Sequence, residues 1–313
     1  MILCAGEALI DMLPRRTEAG EAAFAPHPGG AVFNTAIALG RLGAPAGFLS
    51  GLSTDLFGEM LERALAESGV DARLCVRSGR PTTLAFVTLE GGQARYAFYD
   101  ENSALRALTP GDMPALPEEV TAIFVGGISL VGLPCAEAFE ALAAGAGGRA
   151  VMIDPNVRAA FVTAAGEPGY RERLARLLPI ADIVKLSDED LHWIEGAGEE
   201  RDLARAVLAR GPKLVCVTRG AHGVTGYTAA GETYVPATLA EVVDTVGAGD
   251  TFNAGLLAAL HEAGALSKAG ISSPGPISPS TAPSTATEAR PTRWTSALTV
   301  PPAAAGSRRR APR

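Results

Sequence analysis

The 313-residue chain is predicted to fold as an α/β protein, a doubly wound and mostly parallel sheet flanked by helices. Short apolar runs alternate with segments of helical spacing through most of its length, the pattern left by a parallel sheet covered on both faces. Asp154, Lys185, Thr218 and the Gly247 turn follow such runs, and doubly wound sheets bind ligands at those positions. One segment differs in texture: Thr82 to Tyr99 alternates as a hairpin does when one face is wet.

In chain order, Ile2 to Ala5 reads as the first buried strand, and further strands are expected near Leu9 to Leu13 and Ala22 to Phe24. Thr35 to Leu42 and Phe57 to Ser68 carry helical spacing. The hairpin runs out through Thr-Leu-Ala-Phe-Val-Thr-Leu, turns at Glu90-Gly-Gly-Gln93 and returns through Ala-Arg-Tyr-Ala-Phe-Tyr. Beyond it, apolar runs at Ile123 to Gly126, Val151 to Asp154, Ile183 to Lys185 and Leu214 to Thr218 suit buried parallel strands. Helical segments at Cys135 to Ala144, Gly169 to Leu178, Asp188 to Ile194 and Leu203 to Ala209 lie between them. A last apolar helix starts at the turn before Asp250.

Hydrophobic residues make up 47% of the chain, enough for one large domain with a buried core. The run Met1 to Ile10 has no basic flank and is broken by Glu7, so no leader or membrane span is expected and the cytoplasm is the default location. Cys4, Cys75, Cys135 and Cys216 are widely spaced in apolar surroundings and read as reduced core residues. His27, His192, His222 and His261 form no metal-binding pair. A net charge of −7 argues against a nucleic-acid partner. That charge is uneven, because residues 265–313 hold seven of the 27 basic residues and only one of the 34 acidic ones, which leaves a tail of +6 behind a body of −13. Eight of the 22 prolines fall in the same stretch. The folded unit is therefore expected over 1–264, followed by a low-complexity, disordered tail.

The chemistry concentrates in Asp244-Thr-Val-Gly-Ala-Gly-Asp-Thr-Phe-Asn-Ala-Gly-Leu-Leu257. Gly247, Ala248 and Gly249 allow a ligand close to the backbone, and the first amides of the following helix lack intrahelical acceptors, so they can bind an anion. Asp250 is expected to stay ionised in the field of that helix and to accept a proton from a hydroxyl attacking a phosphoryl group. The same spacing also suits an acid that merely caps a helix. A dinucleotide fingerprint starting at Gly247 fails at Phe252, and no P-loop occurs anywhere. With Lys185, Lys213 and Lys268 as the only lysines, phosphate charge must be met by backbone amides, arginines and a metal.

The stretch around Asp250 resembles the second signature of the ribokinase-like (PfkB) carbohydrate kinases. Pro28-Gly-Gly-Ala-Val-Phe-Asn-Thr-Ala-Ile-Ala-Leu-Gly-Arg-Leu-Gly43 resembles the first, followed by Gly51-Leu-Ser-Thr-Asp-Leu-Phe-Gly58. With Gly6-Glu-Ala-Leu-Ile-Asp11, Asp154-Pro-Asn-Val-Arg158 and Val217-Thr-Arg-Gly-Ala-His-Gly223, the resemblance covers roughly residues 1–264. It is strongest to the bacterial fructokinase branch, with 2-keto-3-deoxygluconate kinases as the rival.

The resemblance implies ATP-dependent phosphorylation of a sugar hydroxyl, with Asp250 as base, Gly247, Ala248 and Gly249 as the anion cradle, and Arg158 clamping the transferring oxygens. It implies a small β lid from about 9–25 and 82–100, and sugar contacts from Asp11, Gly29, Gly30, Asn34 and Asn156, with Arg95 and Phe98 reaching from the lid. Nucleotide contacts are implied at Lys185, Asp188, Thr218, Gly220 and Gly223. Lys185 stands where the family's N-x-x-E motif has Asn, which leaves the choice between Asp188 and Glu189 open. Magnesium is expected to travel with ATP, a potassium ion to sit at Asp244 and Val246, and two copies to pair through the lid. Family members continue past the last helix with further helices and an Ala-rich segment that residues 265–313 do not reproduce. This points to a change of reading frame near Leu266, for which translation of the other two frames is the check, and to a weakened sugar- or nucleotide-binding protein as a third functional reading.

Overall fold

The computed structural model describes residues 1–90, 93–158, 161–237, 247–268 and 270–271, with the side chains of 89–90 and 93–95 outside that description. In chain order the strands are β1 (Ile2–Ala5), β2 (Leu9–Arg16), β3 (Ala22–Gly29), β4 (Ala46–Leu49), β5 (Gly51–Ser53), β6 (Val76–Ser78), β7 (Leu84–Glu90), β8 (Gln93–Tyr99), β9 (Ala122–Gly126), β10 (Ala150–Asp154), β11 (Ile183–Ser187), β12 (Leu214–Thr218), β13 (Val224–Thr228) and β14 (Gly231–Val235). The helices are α1 (Ala31–Arg41), α2 (Leu56–Glu67), α3 (Cys135–Ala144), α4 (Glu167–Leu177), α5 (Asp188–Glu195), α6 (Glu200–Leu208) and α7 (Ala248–Glu262).

Eight strands form the main sheet in the order β14-β13-β12-β11-β10-β9-β1-β4. The run from β4 to β12 is parallel, and β13 and β14 extend it antiparallel. Alternation along each parallel strand divides the core in two. Ile2, Cys4, Ala122, Phe124, Ala150, Met152, Ile183, Leu214 and Cys216 pack with α1, α2 and α7. Their neighbours Leu3, Ala5, Ile123, Val125, Val151, Ile153, Val184, Val215 and Val217 pack with α3 to α6. A strand with both faces covered reads as a continuous apolar run, and this is why these five strands were legible.

The lid is a separate sheet in the order β3-β2-β7-β8, with β2 and β7 parallel and the outer pairs antiparallel. It confirms the hairpin and lengthens the other two strands, β2 to Arg16 and β3 to Gly29. Asp55 ties the lid base to α2: it caps the helix at the amides of Phe57 and Gly58 and accepts the amide and hydroxyl of Thr82.

The structure departs from expectation at several boundaries. Helix α1 begins at Ala31 rather than Thr35, because Gly30 turns the chain at φ 108 and the Glu7 carboxylate takes the amides of Ala31 and Val32. Strands β4, β5, β6, β13 and β14 carried no readable signal, since they are short and several hold glycine or alternate with polar residues. Packing continues past Gly264: Ala265, Leu266 and Ile271 are buried in the same core as α1 and α7. Cys4, Cys135 and Cys216 are buried, and Cys75 is half-buried. No helix among the described residues is long and apolar enough to cross a membrane.

Candidate active site

The two-sided alternation that builds the core also builds the site. On the face turned to α7, β10 runs Ala150, Met152, Asp154, β11 runs Ile183, Lys185, and β12 runs Leu214, Cys216, Thr218. Each row ends in a polar side chain at the C-terminal rim of the sheet, where the crevice of an open α/β fold lies. Asp154 and Lys185 meet there with Nζ to Oδ2 at 3.1 Å, their side chains 2% and 5% exposed. Asn253 of α7 donates to the same oxygen at 2.7 Å, and the Asn156 amide donates to Oδ1 at 3.1 Å.

Helix α7 enters from Gly247, which is left-handed at φ 81, and its first internal bond runs from the Thr251 amide to the Gly247 carbonyl. The amides of Ala248, Gly249 and Asp250 therefore precede the helical ladder. A Cβ at Gly249 would stand 3.1 Å from Lys185 Nζ, so glycine is what lets the ammonium approach this turn. Burial pulls the Lys185 ammonium down, but Asp154, Asp190 and Asp250 outweigh it and leave the group above its ordinary value.

Asp250 is buried, and its Oδ2 accepts the Asn34 amide from α1 at 2.9 Å. The expectation of a permanently ionised acid is corrected here. Burial pushes Asp250 up to about 7; the Asn34 bond and Lys185 oppose that shift, while Asp154 and Glu7 add to it. Desolvation outweighs the favourable field of the helix terminus because the group lies inside the protein rather than at its surface.

Across the cavity, Asp11 stands on the lid strand β2 and lines the cavity, and burial pushes it up to about 6 against the pull of His27. A Cβ at Gly29 would lie 2.1 Å from Asp11 Oδ2, so Gly29 makes room for that carboxylate. Gly30 performs the same service for Glu7, whose carbonyl would be 2.9 Å from its Cβ. Leu9, Ile128 and Phe98 form an apolar wall with Phe161, whose ring meets Phe98 edge-on at 4.9 Å.

These groups enclose one cavity of about 450 Å³. It brings together Asp250, Gly247, Gly249, Arg158, Asp11, Gly30, Asn34, Phe98, Asn156, Lys185 and Thr218 of the residues predicted from sequence. Other predicted residues fall elsewhere. Asp188 does not line the cavity; Glu189 and Asp190 of the same helix turn do. Gly223 answers to packing, since a Cβ there would stand 2.2 Å from the Val235 carbonyl, and Gly29, Gly220 and Ala248 are also outside the lining. Position 95 pairs with Thr88 and alternates out of the row formed by Tyr96 and Phe98, and the Arg95 side chain lies outside the described residues. Asp244 and Val246 lie outside the described residues altogether. Sequence reasoning missed Glu7, Asp190, Tyr96 and Asn253, and placed Asp154 at the ligand-binding rim without giving it a role. Glu7 and Asp154 each stood inside a quoted motif, and an acid beside an apolar strand was the available signal.

Among the described residues no three His, Cys, Asp or Glu side chains converge on a metal site. The carboxylates of Glu189 and Asp190 are hard oxygen donors on the wall they share with Ser187 and Thr218.

Comparison with protein families matches residues 1–271 to the pfkB family carbohydrate kinase. Fructokinase of Rhizobium leguminosarum bv. trifolii is 49% identical over 274 residues, 87% of this chain and 83% of that protein. Among solved structures, the fructokinase from Xylella fastidiosa with bound ATP superposes with a TM-score of 0.76 at 31% identity, covering 83% of this chain and 81% of that one. Aminoimidazole riboside kinase from Salmonella enterica gives 0.75 at 27%, covering 86% and 88%. A double mutant of the Vibrio cholerae O395 fructokinase in a fructose, ADP and potassium ion bound form gives 0.73 at 27%, covering 83% of each chain.

The raised Asp250 value makes the site a source of instability. Its folded value of about 7 lies above the ordinary 3.8, so the folded state is penalised as pH rises through that window and carries the full penalty above it. Asp250→Asn keeps an acceptor for Asn34 and removes the charge. Its melting temperature should exceed wild type at pH ~8, with the difference vanishing below pH ~4; equal melting curves at both pH values would contradict the raised acid.

Proposed function

The chain belongs to the pfkB family of carbohydrate kinases, and from that membership we propose that it transfers the γ-phosphoryl group of ATP to the primary hydroxyl of fructose, giving fructose 6-phosphate and ADP. The observation that carries this reading is Asp250, a buried carboxylate with a value of about 7, held by Asn34 at the head of α7 inside the shared cavity. As the hydroxyl oxygen attacks the γ-phosphorus, Asp250 accepts its proton and the bond to the ADP oxygen breaks. The amides of Ala248, Gly249 and Asp250, the Lys185 ammonium and the Arg158 guanidinium face the charge that develops on the transferring oxygens. Asp11, Asn34 and Gly30 offer the acceptors and donor that sugar hydroxyls need.

Magnesium, when bound with the nucleotide, would neutralise phosphate charge, and Glu189 is the carboxylate on that wall placed to meet it, since both Asp190 oxygens accept backbone amides, from Val157 and Ser187. A potassium ion is carried over from the Vibrio cholerae enzyme, with Asp244 and Val246 as its assigned positions. ATP and a phosphorylated sugar are cytoplasmic metabolites, which makes the cytoplasm the working compartment.

The described lining favours a neutral sugar. Its cations, Arg158 and Lys185, are those assigned to the phosphoryl group, while Glu7 and Asp11 border the sugar end. A 2-keto-3-deoxygluconate carboxylate would face Asp11 there, with the buried Glu7 charge behind it, and like charges in a poorly solvated cleft repel. The lid's other face carries Phe24, Phe86 and Tyr99 in edge-to-face contact, with Phe24 and Tyr99 exposed. We assign that face to pairing between two copies.

Three measurements test these statements. Asp250→Ala should lower kcat by about two orders of magnitude or more with KM for fructose little changed, and wild-type kcat should climb as pH rises through about 7; a variant with half the wild-type rate removes Asp250 from the base role. In a coupled assay fructose should exceed ribose, 2-keto-3-deoxygluconate and adenosine, and a preference for a nucleoside would refute the sugar assignment. In sedimentation, Phe24→Glu with Tyr99→Glu should convert a dimer to monomer; an unchanged sedimentation coefficient would exclude the lid contact.

A further inference from the structure

Glu7 is a buried carboxylate in the turn between β1 and β2 that no step of the proposed transfer uses. Its Oε1 accepts the amides of Ala31 at 3.0 Å and Val32 at 3.3 Å, and its Oε2 accepts the Ser129 amide at 3.3 Å. Its own carbonyl accepts the Phe33 amide at 3.2 Å. One residue thus caps the first turn of α1, which has no capping side chain of its own, and fastens it to the 3-10 turn at Gly127–Leu130. The fit is close on both sides: a Cβ at Gly127 would stand 2.1 Å from Oε1, and one at Gly30 would stand 2.9 Å from the Glu7 carbonyl. Both clamped segments line the cavity, and α1 is the helix whose Asn34 holds Asp250 at 2.9 Å.

We propose that Glu7 is a positioning residue for phosphoryl transfer: by locking the first turn of α1 to the Gly127–Leu130 turn, it holds Asn34 in the place from which its amide orients Asp250. All of Glu7's partners donate, and a helix N-terminus favours an anion, so the ionised carboxylate is the form this clamp needs. Burial raises Glu7, while its bonds to Ser129 and Val32 oppose that rise. Within reach of its charge, the Tyr170 hydroxyl and Cys135 thiol are both pushed up by burial and stay neutral in the working range. Asp250 is the titrating group that feels its charge, together with the charges of Asp154 and Lys185. Asp11 titrates across the same cavity.

The inference rests on Asp250 being the base. The test compares Glu7→Gln and Glu7→Asp with wild type by kinetics against fructose and ATP over pH ~5.5–9, with thermal melting to count folded enzyme. Both variants should lose about tenfold or more in kcat while KM for ATP stays within about twofold, because orientation of the base is lost and nucleotide binding is not. Glu7→Gln should also move the acid limb of kcat to lower pH, since removing a negative charge near Asp250 favours its ionised form, while Glu7→Asp should leave that limb in place. A kcat within about threefold of wild type per folded molecule in either variant overturns the proposal, as does a Glu7→Gln loss with an unmoved limb. Should Glu7→Gln fail to fold, the split between kcat and KM for Glu7→Asp decides. An active Asp250→Ala enzyme would sink the base assignment instead, whereas an inactive one beside an unaffected Glu7→Gln would remove only the positioning role.

Discussion

A buried ammonium among acids is the constraint on which this site depends. Lys185 lies within the fields of Asp154, Asp190 and Asp250, in the cavity that Glu7 and Asp11 also line. Taking an ion pair out of water costs several kcal/mol per ion, and the loss is recovered only with tight geometry and further hydrogen bonds. Both conditions hold at Asp154, where Lys185 and Asn253 converge on one oxygen and the Asn156 amide occupies the other. The ends of β10 and β11 and the body of α7 are thereby pinned to one point. If Lys185 were absent, Asp154, Asp190 and Asp250 would lose their compensating charge together at the point where Asn253 ties α7 to the sheet.

The sequence made some of this legible and concealed the rest for physical reasons. Strands β1, β9, β10, β11 and β12 were readable because both faces are buried, and Asp154, Lys185 and Thr218 could be placed at a rim because each ends such a run. Strands β13 and β14 escaped because Gly226 interrupts the first and Glu232 and Thr233 make the second, the edge strand, read as polar. Counting along a motif left Asp188 and Glu189 open and did not raise Asp190, because counting cannot say which residues of a helix turn face the crevice. Glu7 looked like an interruption of an apolar run, and its value comes from Ala31, Val32 and Ser129, which are remote in sequence. Long-range partners of that kind have no local signature.

Asp250 shows two local rules in competition. A helix N-terminus lowers the pKa of an acid and burial raises it, and the motif revealed only the first. Burial wins here, bringing the group to about 7. For the proposed base role a value near neutral would be useful, since the group is partly deprotonated near neutral pH yet retains affinity for the proton it would take. Had the helix field won, the carboxylate would be safely charged and a poorer base. The fold therefore keeps a destabilised group in the wall of its cavity, a trade that functional sites often make.

The division of the cavity walls carries the same logic to the substrate. Asp11 and Asn34 present hydrogen-bonding groups on one side, while Leu9, Ile128 and Phe98 present hydrocarbon on the other. A neutral sugar has hydroxyl edges and apolar C–H faces, so it can satisfy both walls at once, whereas a carboxylated sugar would bring a second anion to the Asp11 wall. Phe98 belongs to the lid, and Phe161 follows Arg158 closely enough that its amide donates to the Arg158 carbonyl at 2.7 Å. The edge-on contact of the two rings therefore joins the lid sheet to the segment bearing Arg158, the arginine proposed to face the phosphoryl group. Lid placement and charge placement share one apolar contact, so water exclusion and neutralisation of the transferring group are set together.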